Sequence, residues 1–98
     1  MNWEENGSNF IGTKGERLKD LEVILEVKHS FFTVTTGRHS YFYQFKYEND
    51  ILVWWTDVLI TSATGTKMII SGTVKDHIIN YGKEKTVLTR VRIKEVLH

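Results

Sequence analysis

Arg90, Arg92 and Lys94 stand at every second position near the C-terminal end of the sequence. In a β-strand alternate residues share a face, so these three cations would form one row. Fixed cations in a row neutralise phosphates and release their counterions, which is binding chemistry rather than bond-making chemistry. The segment before them carries Ile69, Ser71, Thr73, Lys75 and His77 in the same alternation. Hairpin pairing would set the two rows side by side, and hydroxyls among cations suit the positioning of a phosphate backbone.

Charge is distributed to match. Residues 1–65 hold six basic and nine acidic side chains, a net of −3, whereas residues 66–98 hold seven and three, a net of +4. The total of +1 conceals this asymmetry, which points to an anionic partner for the C-terminal half.

Aromatic residues supply the second ingredient. Tyr41, Tyr43, Phe45 and Tyr47 share one side of an alternating stretch, with Phe42, Gln44 and Lys46 on the other. The second set is the more polar and is expected to face outward. Further on, Ile51, Val53 and Trp55 are expected to make a core row, leaving Leu52, Trp54 and Thr56 outside. Phe42 and Trp54 would then lie on the exterior near cations. Single-stranded nucleic acid uses this combination, bases stacking on rings while Lys and Arg follow the phosphates. A slip of one residue would exchange Trp54 for Trp55.

Catalytic patterns are missing. The chain has no cysteine, no Gly-x-Ser-x-Gly, no phosphate-binding glycine loop and no dinucleotide glycine motif. His29, His39, His77 and His98 show no His-x-x-x-His spacing, so no metal ligand set is expected. The expectation is a binding protein without cofactor, not an enzyme.

The elements that must position these residues are strands. Leu21, Val23, Leu25 and Val27 alternate with Glu22, Ile24, Glu26 and Lys28, predicting a long first strand over 17–36. Further strands are expected at 41–47, 51–56, 67–80 and 85–96, with Gly72 marking a bulge or bend in the fourth. Tyr81-Gly82-Lys83 reads as a hairpin loop, so residues 67–96 form one long hairpin. Between the third and fourth strands, Asp57 could cap a short helix, but Thr61, Ser62, Thr64 and Gly65 make an irregular link the alternative. Residues 1–14 read as an arm anchored by Phe10-Ile11, and 15–98 as one domain. Five strands of this kind suit a small closed Greek-key barrel, with an SH3-like barrel as the rival. A chain of 98 residues with 41% hydrophobic content supports one core. No stretch is apolar enough to span a membrane, and no signal peptide is recognisable, so a cytoplasmic location is expected.

The run Gly72-Thr73-Val74-Lys75-Asp76-His77, then Tyr81, then Lys85-Thr86-Val87-Leu88-Thr89-Arg90-Val91 resembles a pattern in small OB-fold domains of bacteriophage and mobile-element proteins. Gly12-Thr13-x-Gly15-Glu16-Arg17, a Tyr-x-Tyr strand and a Val-Trp strand extend the resemblance over nearly the whole chain. It departs at Glu48-Asn49-Asp50 and in a short loop between the last two strands. The resemblance implies a five-stranded Greek-key OB-fold (oligonucleotide-binding) barrel and a single-stranded-DNA-binding or replication-associated module. The expected contacts are Phe42 and Trp54 as stacking platforms, and Lys46, Lys75, Arg90, Arg92 and Lys94 on phosphates. His77 and Tyr81 would line the loop. RNA in place of DNA, a homodimer, and an interaction module docking on a replication, recombination or host defence protein stand as alternatives.

Overall fold

The computed structural model describes residues 9–97. Its strands are β1 (Arg17–Thr33), β2 (Arg38–Tyr47), β3 (Asp50–Thr56), β4 (Lys67–Asn80) and β5 (Lys83–Leu97). They join in the order β1-β2-β3-β5-β4, and β1 pairs with β4 to close the barrel. β3 and β5 run parallel, with Ile51 beside Lys85 and Trp54 beside Leu88, while the other neighbours are antiparallel. This is a five-stranded Greek-key OB-fold barrel. The crossover that seats β5 between β3 and β4 decides for it over the SH3-like alternative.

Most expected strands lie where the alternation placed them, but the first hairpin is tighter. β1 stops at Thr33, whose carbonyl accepts the Gly37 N–H at 2.8 Å, and β2 already begins at Arg38. Gly37 sits at φ 66°, a left-handed conformation that glycine adopts without steric penalty. Of the expected arm, residues 1–8 lie outside the described residues. Residues 9–16 lead into β1 without regular structure, and Ile11 packs against the core.

The link at 57–66 holds no helix. A long-range side-chain contact organises it instead. The buried Tyr43 hydroxyl donates to the Val58 carbonyl at 2.8 Å and accepts the Ile60 N–H at 2.7 Å. Ile60 thereby reaches the core. The described residues contain no helix, hence none long and apolar enough to cross a membrane.

Inside the barrel lie Leu21, Val23 and Leu25 of β1, Tyr43 and Phe45 of β2, and Leu52 and Trp54 of β3. Met68, Ile70 and Val74 of β4 and Leu88 of β5 complete that row. The expected assignment of β3 is therefore reversed: Trp54 is 6% exposed and Trp55 54%. Residues opposite each other in a sheet share a face. Tyr43 opposes Trp54 and Phe45 opposes Leu52, so the inward tyrosine row of β2 takes those two residues inward with it. Ile51 and Val53 are buried nonetheless, in a second cluster on the outer face with Val87, Phe42 and Ile78. A strand buried on both faces has no polar row, and its alternation carries no phase.

β5 also departs from simple alternation. Leu88 points into the barrel, yet Val91 and Ile93 also pack on the core, so the inward parity changes between them. Arg90 makes the change, at φ 53°. Opposite it, Gly72 alone on β4 faces Arg90 and Val91 on β5, between the pairs Ser71–Arg92 and Thr73–Thr89, the two-against-one count of a bulge. A Cβ on Gly72 would lie 3.2 Å from Leu88 Cδ1 and 3.3 Å from Val91 Cγ2, so the strands approach closely here. The left-handed conformation at Arg90 costs an L-residue roughly 1–2 kcal/mol.

Tyr43→Phe removes the donor and acceptor that hold the 57–66 link, leaving two backbone groups unpaired. A loss of about 1–3 kcal/mol in urea unfolding is expected. Burial holds the Tyr43 phenol above its ordinary value, and the Ile60 N–H only partly offsets this. Folding therefore favours the protonated phenol. Its contribution is intact below a pH of about 10 and is lost as pH rises through the folded-state value. Tyr43→Phe should reduce that alkaline loss of stability. A remainder is expected from Tyr47, also raised, by burial first and Glu48 second.

Candidate nucleic-acid interface

Three rings form a row across the outer face of the barrel. His29 on β1 opposes Phe42 on β2, and Phe42 opposes Trp55 on β3. Phe42 and Trp55 have ring centroids 4.8 Å apart, and His29 stacks near Phe42 at 6.3 Å. Cross-strand pairing builds this row, since opposed side chains on one face come within contact distance. Phe42 is half-buried, while His29 and Trp55 are exposed.

Beside the row, the β4–β5 hairpin folds toward β3. Phe42, Val53, Trp55, Ile78, Asn80 and Lys85 line a groove of about 200 Å³. The outer cluster of Ile51, Val53 and Val87 makes an apolar floor against which Phe42 and Ile78 pack. Lys85 Nζ is held at the groove by the Gln44 and Asn80 side-chain oxygens, at 3.4 and 3.3 Å. It makes no ion pair among the described residues, so its charge is available to an anion. The hairpin ends in a two-residue turn, Tyr81 at φ 53° and Gly82 at φ 74°, and Asn80 pairs with Lys83. Two successive left-handed residues define a type I′ turn. Tyr81 at its tip is 96% exposed.

The expected site residues separate into different places. Phe42 lies in the groove as expected. Trp54 does not: its ring is in the core, at 5.8 Å from that of Tyr43, and cannot stack on a base. Trp55 takes the exterior position instead. Lys46 is exposed but lines a depression of mixed charge with Asp20, Glu22, Glu48 and Lys67, apart from the groove. Lys75 is exposed and lines neither of these.

His77 lies partly buried under the N-terminal arm rather than in the loop. Phe10 stacks on its ring at 4.5 Å, and Nε2 is buried without a hydrogen-bond partner among the described residues. Backbone N–H groups of Asn9, Phe10 and Ile11 donate to Asp50, Glu84 and Thr86 side chains and hold the arm down. Nearby, Asp76 is kept below its ordinary value by the His77 backbone N–H and by Lys14.

The row of Arg90, Arg92 and Lys94 is exposed, but its third cation pairs with Asp20. Arg90 and Arg92 line a separate depression with Arg17, Thr73 and Val91. The expected neighbouring face on β4 is broken by bulges, and Ser71 is buried, accepting the Asp20 N–H at 3.2 Å. His29, Lys85 and Arg17 have no part in the site expected from the sequence, and Trp55 enters it only through the one-residue slip that exchanges it with Trp54. Correct pairing of β1, β2 and β3 would have found His29 and Trp55.

No protein family, curated protein or solved structure matches this chain.

The two adjacent tryptophans should behave oppositely. Trp54→Ala is expected to cost about 3–5 kcal/mol in chemical unfolding, and Trp55→Ala less than about 1 kcal/mol. In a Trp3→Phe background, acrylamide quenching should fall sharply in Trp55→Phe and hardly change in Trp54→Phe.

Proposed function

We propose that this barrel binds single-stranded nucleic acid with little sequence preference, through the groove between β2, β3 and the β4–β5 hairpin. The observation that carries the reading is the cross-strand row His29–Phe42–Trp55 beside Lys85, which makes no ion pair among the described residues. A base has a π-face whatever its identity, so a ring row accepts any sequence, while the lysine neutralises phosphate. Tyr81, exposed at the hairpin tip next to Asn80, supplies a further ring at the edge of the groove. Nothing in this arrangement asks for a cofactor, and its chemistry is adsorption rather than reaction. The resemblance carried by 72–91 favours DNA over RNA and a role in phage or mobile-element DNA metabolism.

A protein-docking role is the second reading, supported by the tip of the β1–β2 hairpin. Phe31, Phe32 and Val34 are 51%, 56% and 84% exposed there, a solvent-facing apolar group of the kind that anchors interfaces.

Titration with oligothymidine, followed by tryptophan fluorescence at two salt concentrations, tests the first reading. Quenching that weakens with salt is expected. Trp55→Ala should weaken binding by about 1–3 kcal/mol, or roughly 5- to 150-fold, while its melting temperature falls by no more than a few degrees. Absence of binding at low salt would overturn the proposal and leave the docking role.

A further inference from the structure

Arg17, Thr73, Arg90, Val91 and Arg92 line a depression of about 430 Å³ on a different part of the barrel from the aromatic groove. Three strands supply it. Arg17 of β1 is the register partner of Thr73 of β4, and Arg92 of β5 that of Ser71. The Arg17 guanidinium is held in place, donating through one nitrogen to the Arg90 carbonyl at 2.6 Å and to Thr73 Oγ1 at 3.2 Å. No carboxylate lines the depression, and none of the three arginines makes an ion pair among the described residues. The neighbouring cations Lys14 and Lys94 do have partners, Asp76 and Asp20. Three guanidinium groups without counter-charge repel one another, and an anion in the depression relieves that repulsion.

Arg90 adds a second, independent argument. Its φ of 53° belongs to the position of a bulge where glycine is favoured. Its side chain is exposed and makes no hydrogen bond among the described residues. Packing therefore gives no reason for an arginine at this strained position, whereas a charge aimed by the bulge does. Planar guanidinium groups match phosphate oxygens two at a time.

We propose that Arg17, Thr73, Arg90 and Arg92 form a second phosphate site, which holds the backbone of a nucleic-acid strand after it leaves the aromatic groove. This rests on the reading of the groove above. β5 connects the two sites: Lys85 is in the groove, and Leu88 lies beside Trp54 in the parallel pair. Arg90 follows two residues later, so a strand passing Trp55 runs along β5 into the arginines.

Oligothymidines near the two ends of the range of site sizes for one OB fold, about 4 and about 16 nucleotides, separate the two sites. The double variant Arg90→Gly/Arg92→Gln should bind the short oligomer as the parent does. For the long one, the slope of log affinity against log salt should shrink by about 1.4, or about 0.7 for each phosphate that is no longer neutralised. Arg90→Gly alone should fold with an equal or higher melting temperature while still reducing the long-oligomer slope. Unchanged long-oligomer binding in the double variant, or equal losses for both lengths, would overturn the second site. In either case a Trp55→Ala effect on the short oligomer would leave the groove reading standing. If neither oligomer binds the parent, both proposals fail together.

Discussion

Pairing of β1 with β4, Arg17–Ile24 against Lys67–Thr73, closes the sheet and places every other strand. A closed barrel of five strands must bend its strands sharply, and bulges are the means by which a strand bends. They concentrate around this seam. β1 shifts register between Leu18 and Leu21, and β4 shifts three times along its pairing with β5. Non-glycine residues occupy left-handed conformations at Asp20 and Arg90. Asp20 is secured by the Ser71 hydroxyl and by Lys94, and Arg90 by the Arg17 guanidinium. The polar contacts around the seam stabilise the irregular backbone that closure demands.

Closure also divides the outer surface. β3 lies in the middle of the wall opposite the seam and is apolar on both faces, so its outer side needs cover. The β4–β5 hairpin provides it through Ile78 and Val87, and in doing so creates the groove beside Phe42 and Trp55. The arginines stay at the seam, where Gly72 lets β4 and β5 approach closely. One structural requirement thus places the aromatic groove and the cationic depression on different parts of the barrel.

The strands and the fold were largely legible in the sequence because period-two alternation survives wherever one face is wet. β1 and the inward side of β2 show this clearly: Leu21, Val23, Leu25, Tyr43 and Phe45 are all buried. Legibility failed where that contrast was missing. Ile51 to Trp55 is apolar throughout, and only its pairing with β2 decides that Trp54 goes inward. On β5 the alternation of Arg90, Arg92 and Lys94 is real, but a change of parity at Arg90 alters what faces inward before and after it.

By itself, then, the sequence determined a barrel of five strands, a positive C-terminal half and an outward Phe42, since each follows from residue type and local spacing. Tertiary structure alone decided that Trp55 rather than Trp54 meets solvent, and that Lys94 is neutralised by Asp20. It also decided that Arg90 and Arg92 join Arg17 instead of the aromatic row. Each of these depends on which strands lie side by side and in what register, through contacts between residues far apart in the chain. No local pattern encodes such pairings, because a shift of one residue leaves the pattern intact and turns every side chain to the other face.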